Sequence, residues 1–229
     1  MKTLKNHLFD TVVALCLVGA LVGTFLTFAS GQPASATYAK TPYMATSDAK
    51  PVTWSPCAPV HYEVNLHDAL PGTLSALSRD VALIESATGL RFVFDGTTNA
   101  TLNSQWTTYS NNGHYHPVLV AFASPKTSTL LSSALGDLGD GSASWVDSPS
   151  GYRHFVSGSI IVNTAAGLRP GFGSGLHLGN LLLHELGHVV GLAHSHDPQS
   201  FMYPYLGVMR QVITPADAAH LAALGRGHC

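Results

Sequence analysis

The chain has 229 residues, and 45% of them are apolar, which is enough to build a sizeable core in one large domain. Only 10% are Asp, Glu, Lys or Arg, and the net charge is −2; this excludes charge-driven disorder and offers no basic surface to a nucleic acid. Histidine is the exception, because its 13 copies outnumber the 11 Lys and Arg together, and neutral imidazole is the commonest metal-binding side chain.

Residues 1–36 are predicted to direct export. Lys2 and Lys5 precede an apolar run over residues 12–29, and the small-residue pattern ASA follows at 34–36, which is typical of a cleaved secretory signal peptide. The run also approaches the roughly 18 residues that can cross a bilayer, so a retained membrane anchor is the alternative. Either way we expect the domain outside the cytoplasm, secreted or anchored facing outward.

Residues 37–56 show no hydrophobic period and are rich in Pro, Ser and Thr, so they are predicted to form an extended linker. The domain itself is then residues 57–229. Its two cysteines, Cys57 and Cys229, lie at its two ends, and a disulfide between them would join those ends in an oxidising compartment. The alternative is two separate buried thiols, because spacing alone does not show that they meet.

The pattern between residues 60 and 224 predicts an α+β domain with five strands and three helices. Val60, Tyr62, Val64 and Leu66 alternate with polar residues, as in a half-buried strand. The other predicted strands cover 91–94, 118–123, 142–146 and 155–163. The predicted helices cover 74–88, 176–190 and 215–224; Thr73 and Gly89 bound the first, and the last has a capping box (Thr214, Asp217) with Gly225 as its stop.

The string HELGHVVGLAH, residues 184–194, carries the chemistry. His184 and His188 are four residues apart on a predicted helix, so both imidazoles face one side, about one turn apart. Gly191 can end that helix and turn the chain back, so that His194 supplies a third nitrogen. Three nitrogen ligands leave zinc one position for water, which is typical of a catalytic site.

Glu185 lies about 100° around the same helix from His184, beside the metal rather than on it. It is the candidate general base for a zinc-bound water whose pKa falls to about 7, in peptide hydrolysis without a covalent intermediate. The alternatives are a helix whose histidines are merely hydrogen-bonded in the core, and a metal site that is not catalytic.

HELGHVVGLAHS followed by HDPQSFMYP resembles the metzincin metalloproteases, and among them the matrixin (matrix metalloproteinase-like) branch. The resemblance implies three zinc-binding histidines, a glutamate base, a serine after the third histidine and a methionine turn beneath the metal. On this chain those positions are His184, His188, His194, Glu185, Ser195 and Met202.

The resemblance also implies a twisted five-stranded mixed sheet with three helices, one of them carrying the zinc motif. A peptide substrate would lie antiparallel to the edge strand, placed around 142–146, as an added strand. Asp217 would support the methionine turn, whereas a second family aspartate is replaced by Ala216. A monomer is expected.

Some family features are missing or altered. The family's latency segment is not found, and Cys57 as a zinc-blocking thiolate is an alternative to the disulfide. A second, structural zinc would have to use His114, His116 and His154, for which solvated loop histidines are the simpler interpretation. Asp137 and Asp140 offer too few oxygens for Ca²⁺, so Ca²⁺ is unsupported and a turn is preferred there.

The sequence therefore predicts an exported zinc-dependent endopeptidase that acts on protein or peptide substrates and uses one catalytic zinc. It touches a membrane only if residues 12–29 are retained. The alternative is a catalytically silent, zinc-supported extracellular binding module. The intact Glu185 argues against this alternative, because a binding module needs no base beside its metal.

Overall fold

The computed structural model describes residues 42–44, 52–102, 114–131, 137–148, 151–206 and 212–229. The predicted export segment, residues 1–36, and much of the predicted linker lie outside these ranges. Within them, no helix combines the length and the apolar character that a membrane crossing requires.

The five predicted strands and three predicted helices are confirmed, with boundaries shifted by a few residues. The elements are β1 (Val60–Val64), α1 (Thr73–Thr88), β2 (Phe92–Thr97), β3 (Val118–Ala123), β4 (Gly139–Asp147), β5 (Arg153–Asn163), α2 (Leu178–Val189) and α3 (Pro215–Leu224). The strands form one mixed sheet in the order β2-β1-β3-β5-β4. Only β4 runs antiparallel to its neighbour, and it occupies one edge, as predicted.

The ends of α1 show where local sequence signals succeeded and where one failed. Gly89 ends the helix in the left-handed conformation at φ 75°, and its N–H donates to Glu85 O, as expected for a glycine stop. Thr73 is not the N-cap, because Gly72 takes that place at φ 80°. Thr73 is instead the first helical residue, and its hydroxyl donates to Leu70 O at 2.6 Å.

Helix α2 lies at the centre of the core. All of its residues except Asn180 are buried, which is typical of a helix enclosed on every side. It packs against α1 on one side and against β4 and β5 on another. The main core lies between the helices and one face of the sheet, and a smaller cluster around Leu119, Ala121 and Ile161 covers the opposite face.

Parts of the predicted linker are extended, but they lie on the domain. Val52 is fully buried, the Trp54 indole N–H donates to Val189 O at 2.8 Å, and Thr53 O accepts from the Phe155 N–H at 2.9 Å. These bonds tie the chain before β1 to the end of α2 and to β5.

The predicted disulfide is present. Cys57 and Cys229 are bonded to each other, with their Cα atoms 5.5 Å apart. Cys57 is therefore neither a separate thiol nor a thiolate available to block a metal.

Candidate metal centre

The structure brings together the three histidines that the sequence singled out. His184 and His188 project from consecutive turns of α2, and Gly191, at φ 109°, turns the chain so that His194 returns to them. All three side chains are buried, and one ligand nitrogen from each lies within 4.8 Å of the others. His188 Nε2 and His194 Nε2 are 3.2 Å apart.

Backbone carbonyls orient two of the imidazoles. His184 Nδ1 donates to Phe201 O and His188 Nδ1 donates to Leu192 O, each at 2.8 Å. A proton on Nδ1 leaves Nε2 with its lone pair, which is the arrangement found in metal-ligating histidines. His184 Nε2 is buried and forms no hydrogen bond with any described residue.

These nitrogens fit a zinc ion. Burial lowers the pKa of His184 to about 3 and that of His188 to about 4, and it also lowers the pKa of His194. The rings are thus neutral, as ligands must be. Two ligands at a zinc–nitrogen distance of 2.0–2.1 Å in tetrahedral geometry are about 3.3 Å apart, close to the 3.2 Å between His188 Nε2 and His194 Nε2.

Glu185 lies between α2 and the edge strand β4. A Cβ atom on Gly141 would approach Glu185 O to 2.5 Å, and one on Gly139 would be 3.2 Å from Glu185 Oε1. Two glycines therefore allow the edge strand to come directly against the residue, which is fully buried. Neither carboxylate oxygen forms a hydrogen bond of normal geometry with a described residue.

Burial raises the pKa of the Glu185 carboxyl well above its usual value. The negative charge of Asp140 adds to the shift and that of Asp137 adds a smaller amount, while the nearby backbone N–H of Gly141 offsets part of it. Burial and Asp137 likewise raise the pKa of Asp140 to about 6. The two aspartates considered for Ca²⁺ thus form the electrostatic surroundings of Glu185.

The other histidines considered as metal ligands belong to no such cluster among the described residues. In the described ranges, the three-histidine cluster is the one group of three or more His, Cys, Asp or Glu side chains close enough to hold an ion. His154 lies on β5, and His116 borders a 290 Å³ cavity together with His61 and Asp95.

The predicted methionine turn lies against α2, and Asp217 supports it as expected. A Cβ atom on Gly187 would overlap Met202 Sδ, so the glycine of HELGH is what admits the methionine. Ser200 Oγ donates to Asp217 Oδ1 at 2.8 Å and accepts from the Met202 N–H at 3.0 Å. Asp217 also completes the predicted capping box of α3 with Thr214.

Two features of the site were missed from the sequence. One is the approach of Gly139 and Gly141 to Glu185, although alternate glycines inside a strand do indicate a closely approaching backbone. The other is a segment before β1, residues 42–44, which pairs with the chain at Leu192. No local pattern in the sequence indicates that pairing.

Comparison with known families agrees with this architecture. The sequence matches the matrixin family over residues 76–224, a range from within α1 to the end of α3. A comparison with curated individual proteins gave no match. The matched range covers well over half of the chain and includes the histidine cluster, and the chain therefore belongs to the matrixin family of zinc metalloendopeptidases.

Proposed function

We propose that His184, His188 and His194 hold one catalytic zinc ion, with Glu185 as the general base, in an exported endopeptidase. The observation that carries this proposal is the convergence of three buried, neutral imidazoles beside a buried carboxylate. Burying three imidazoles together is costly unless their ligand nitrogens share a partner, and a divalent cation suits all three.

Zinc, when bound, lowers the pKa of a water molecule to about 7 and polarises a carbonyl group. Glu185 accepts the proton of the attacking water and delivers it to the departing amine. The burial that raises the pKa of the carboxyl makes it a better proton acceptor. A cation bound nearby would lower the pKa of the same carboxyl and so keep it ionised before the reaction.

The substrate is proposed to bind as an added strand on β4. This strand lies at the edge of the sheet and its residues Gly139 and Gly141 contact Glu185. A peptide paired with that edge would pass its scissile bond close to the base, and main-chain hydrogen bonds would align it.

Export as a monomer is also proposed. The signal-like residues 1–36 and the disulfide between Cys57 and Cys229 support export, because disulfides persist in oxidising compartments. N-terminal sequencing of the secreted protein is expected to begin at Thr37, whereas a retained start would indicate the membrane anchor.

The proposed chemistry is tested by hydrolysis of a peptide library, with and without a chelator, for the wild type and Glu185→Gln. We expect Glu185→Gln to keep one zinc per chain and the fold, but to lose several orders of magnitude in kcat/KM, since the water loses its proton acceptor. Glu63→Gln, on β1 and away from the histidines, serves as the control and should retain activity.

Two results would overturn parts of this proposal. Full activity in Glu185→Gln would remove Glu185 from the mechanism. A wild-type protein that binds zinc but cleaves no peptide would instead support the zinc-supported binding module.

A further inference from the structure

We propose that residues 42–44, here called the strap, position two of the three zinc ligands by fixing Leu192. This inference rests on the zinc site of the proposed function. It assigns a positioning role to a segment that lies upstream of the first strand and far in sequence from the HELGH motif.

The strap forms a short antiparallel pairing with the turn after α2. Tyr43 is opposite Leu192, the Met44 N–H donates to Gly191 O at 2.8 Å, and the Ala193 N–H donates to Pro42 O at 2.9 Å. The residues on both sides of Leu192 are thereby held by the strap, while the backbone groups of Leu192 itself face the other way.

Those backbone groups of Leu192 bind α2. The Leu192 N–H donates to Gly187 O at 2.8 Å, and Leu192 O accepts from His188 Nδ1 at 2.8 Å. Leu192 is therefore the residue through which the strap reaches the metal site, because its carbonyl sets the orientation of the His188 ring. Partners of this kind usually change metal affinity by 10–100-fold when they are lost.

The second ligand affected is His194. Unlike the other two imidazoles, His194 has a buried Nδ1 with no hydrogen bond to any described residue. Within the described part of the chain no carbonyl holds its ring, so apart from the contact between its Nε2 and His188 Nε2 the position of the ring depends on the backbone that carries it. That backbone begins at Ala193, whose N–H is bonded to the strap.

The strap is itself held in place by packing. Met44 is 8% exposed, and the Tyr43 ring makes a T-shaped contact with the His220 ring on α3, with the centroids 5.7 Å apart. The turn is also closely packed from another side, since a Cβ atom on Gly191 would lie 3.2 Å from Val52 O. These contacts join the strap, the turn and α3 into one unit.

The test compares Met44→Pro with Met44→Ala in the full chain. Both variants remove the methionine side chain, but only the proline removes the N–H that bonds to Gly191 O. Zinc dissociation constants are measured by chelator competition, and thermal unfolding is followed in parallel. We expect Met44→Pro to bind zinc roughly tenfold more weakly than Met44→Ala. Ile84→Val, a core change on α1, should lower the unfolding temperature and leave the zinc dissociation constant unchanged.

A second measurement uses the wild type alone and covers the case in which Met44→Pro does not fold. Coupling between two sites is reciprocal. If strap pairing raises the affinity for zinc by some factor, zinc binding must raise the equilibrium constant of strap pairing by the same factor. Hydrogen exchange at the Met44 N–H should therefore slow on addition of zinc, by more than exchange at the Phe155 N–H, which bonds to Thr53 O.

The outcomes separate this inference from the proposed function. Equal zinc affinity in Met44→Pro and Met44→Ala, or exchange at Met44 that zinc does not slow beyond that at Phe155, would overturn the role of the strap. A wild-type protein that binds no zinc would overturn the zinc site itself.

Discussion

Asp80 is a buried carboxyl that the proposed chemistry does not use. It lies on the same face of α1 as Leu77 and Ile84, is fully buried, and neither of its oxygens has a hydrogen-bond partner among the described residues. Burial raises the pKa of Asp80 from 3.8 to about 8, and the positive charge of the adjacent Arg79 offsets only part of this. At neutral pH the group is therefore protonated in the folded protein.

Asp80 should make stability depend on pH. The folded pKa lies above the unfolded one, so the folded state binds the additional proton, and stability falls as pH rises from about 4 to about 8. Asp80→Asn removes this dependence while keeping the size of the side chain. We expect the free energy of unfolding of Asp80→Asn, measured in urea, to exceed that of the wild type by a few kcal/mol at pH 8, and the difference to shrink towards pH 4.

Ile84→Val provides the comparison for Asp80→Asn, since it changes the same helix face without a titrating group. Its effect on unfolding free energy should be similar at each pH. If the unfolding free energies of the wild type and Asp80→Asn changed in parallel with pH, Asp80 would not have a raised pKa in the folded protein.

At the scale of elements, the site depends on how closely the edge strand β4 and the methionine turn approach α2. On one side Gly141 admits the edge strand to the backbone of Glu185, and on another Gly187 admits Met202. A glycine inside a helix costs about 1 kcal/mol relative to alanine, so Gly187 lowers local helix stability. The gain is a tight contact between the active-site helix and the methionine turn, which Asp217 links to α3.

The sequence predicted the elements of this site better than their contacts. The i, i+4 histidines, the turn at Gly191 and the capping box at Thr214 and Asp217 are local patterns, and the structure contains each of them. The strap pairs residues almost 150 positions apart in sequence, and the charge of Asp140 acts on Glu185 across a strand–helix interface. Neither the strap pairing nor the Asp140–Glu185 interaction leaves a hydrophobic period or a helix-capping pattern in the sequence, so no local pattern could reveal them.

At the scale of the whole molecule, the two ends of the domain lie together. The Trp54 indole N–H bonds to the end of α2, and Gly227 packs so closely against the Trp54 carbonyl oxygen and the Thr53 side chain that a Cβ atom would collide with both. The disulfide between Cys57 and Cys229 closes this region covalently. The chain after α3 therefore packs on the chain before β1, which is itself bonded to the end of α2.

The disulfide should contribute strongly to stability because it spans most of the domain. Its cysteines are 172 residues apart, and closing a loop of that length lowers the entropy of the unfolded chain by an amount worth up to about 5 kcal/mol. We expect the double variant Cys57→Ser, Cys229→Ser to lose several kcal/mol of unfolding free energy in urea, as should the wild type under reducing conditions. Neither cysteine belongs to the histidine cluster, so the folded double variant should keep the zinc affinity of the wild type. A loss below about 1 kcal/mol would mean that the backbone contacts of Trp54 and Gly227 already hold the ends together without the covalent bond.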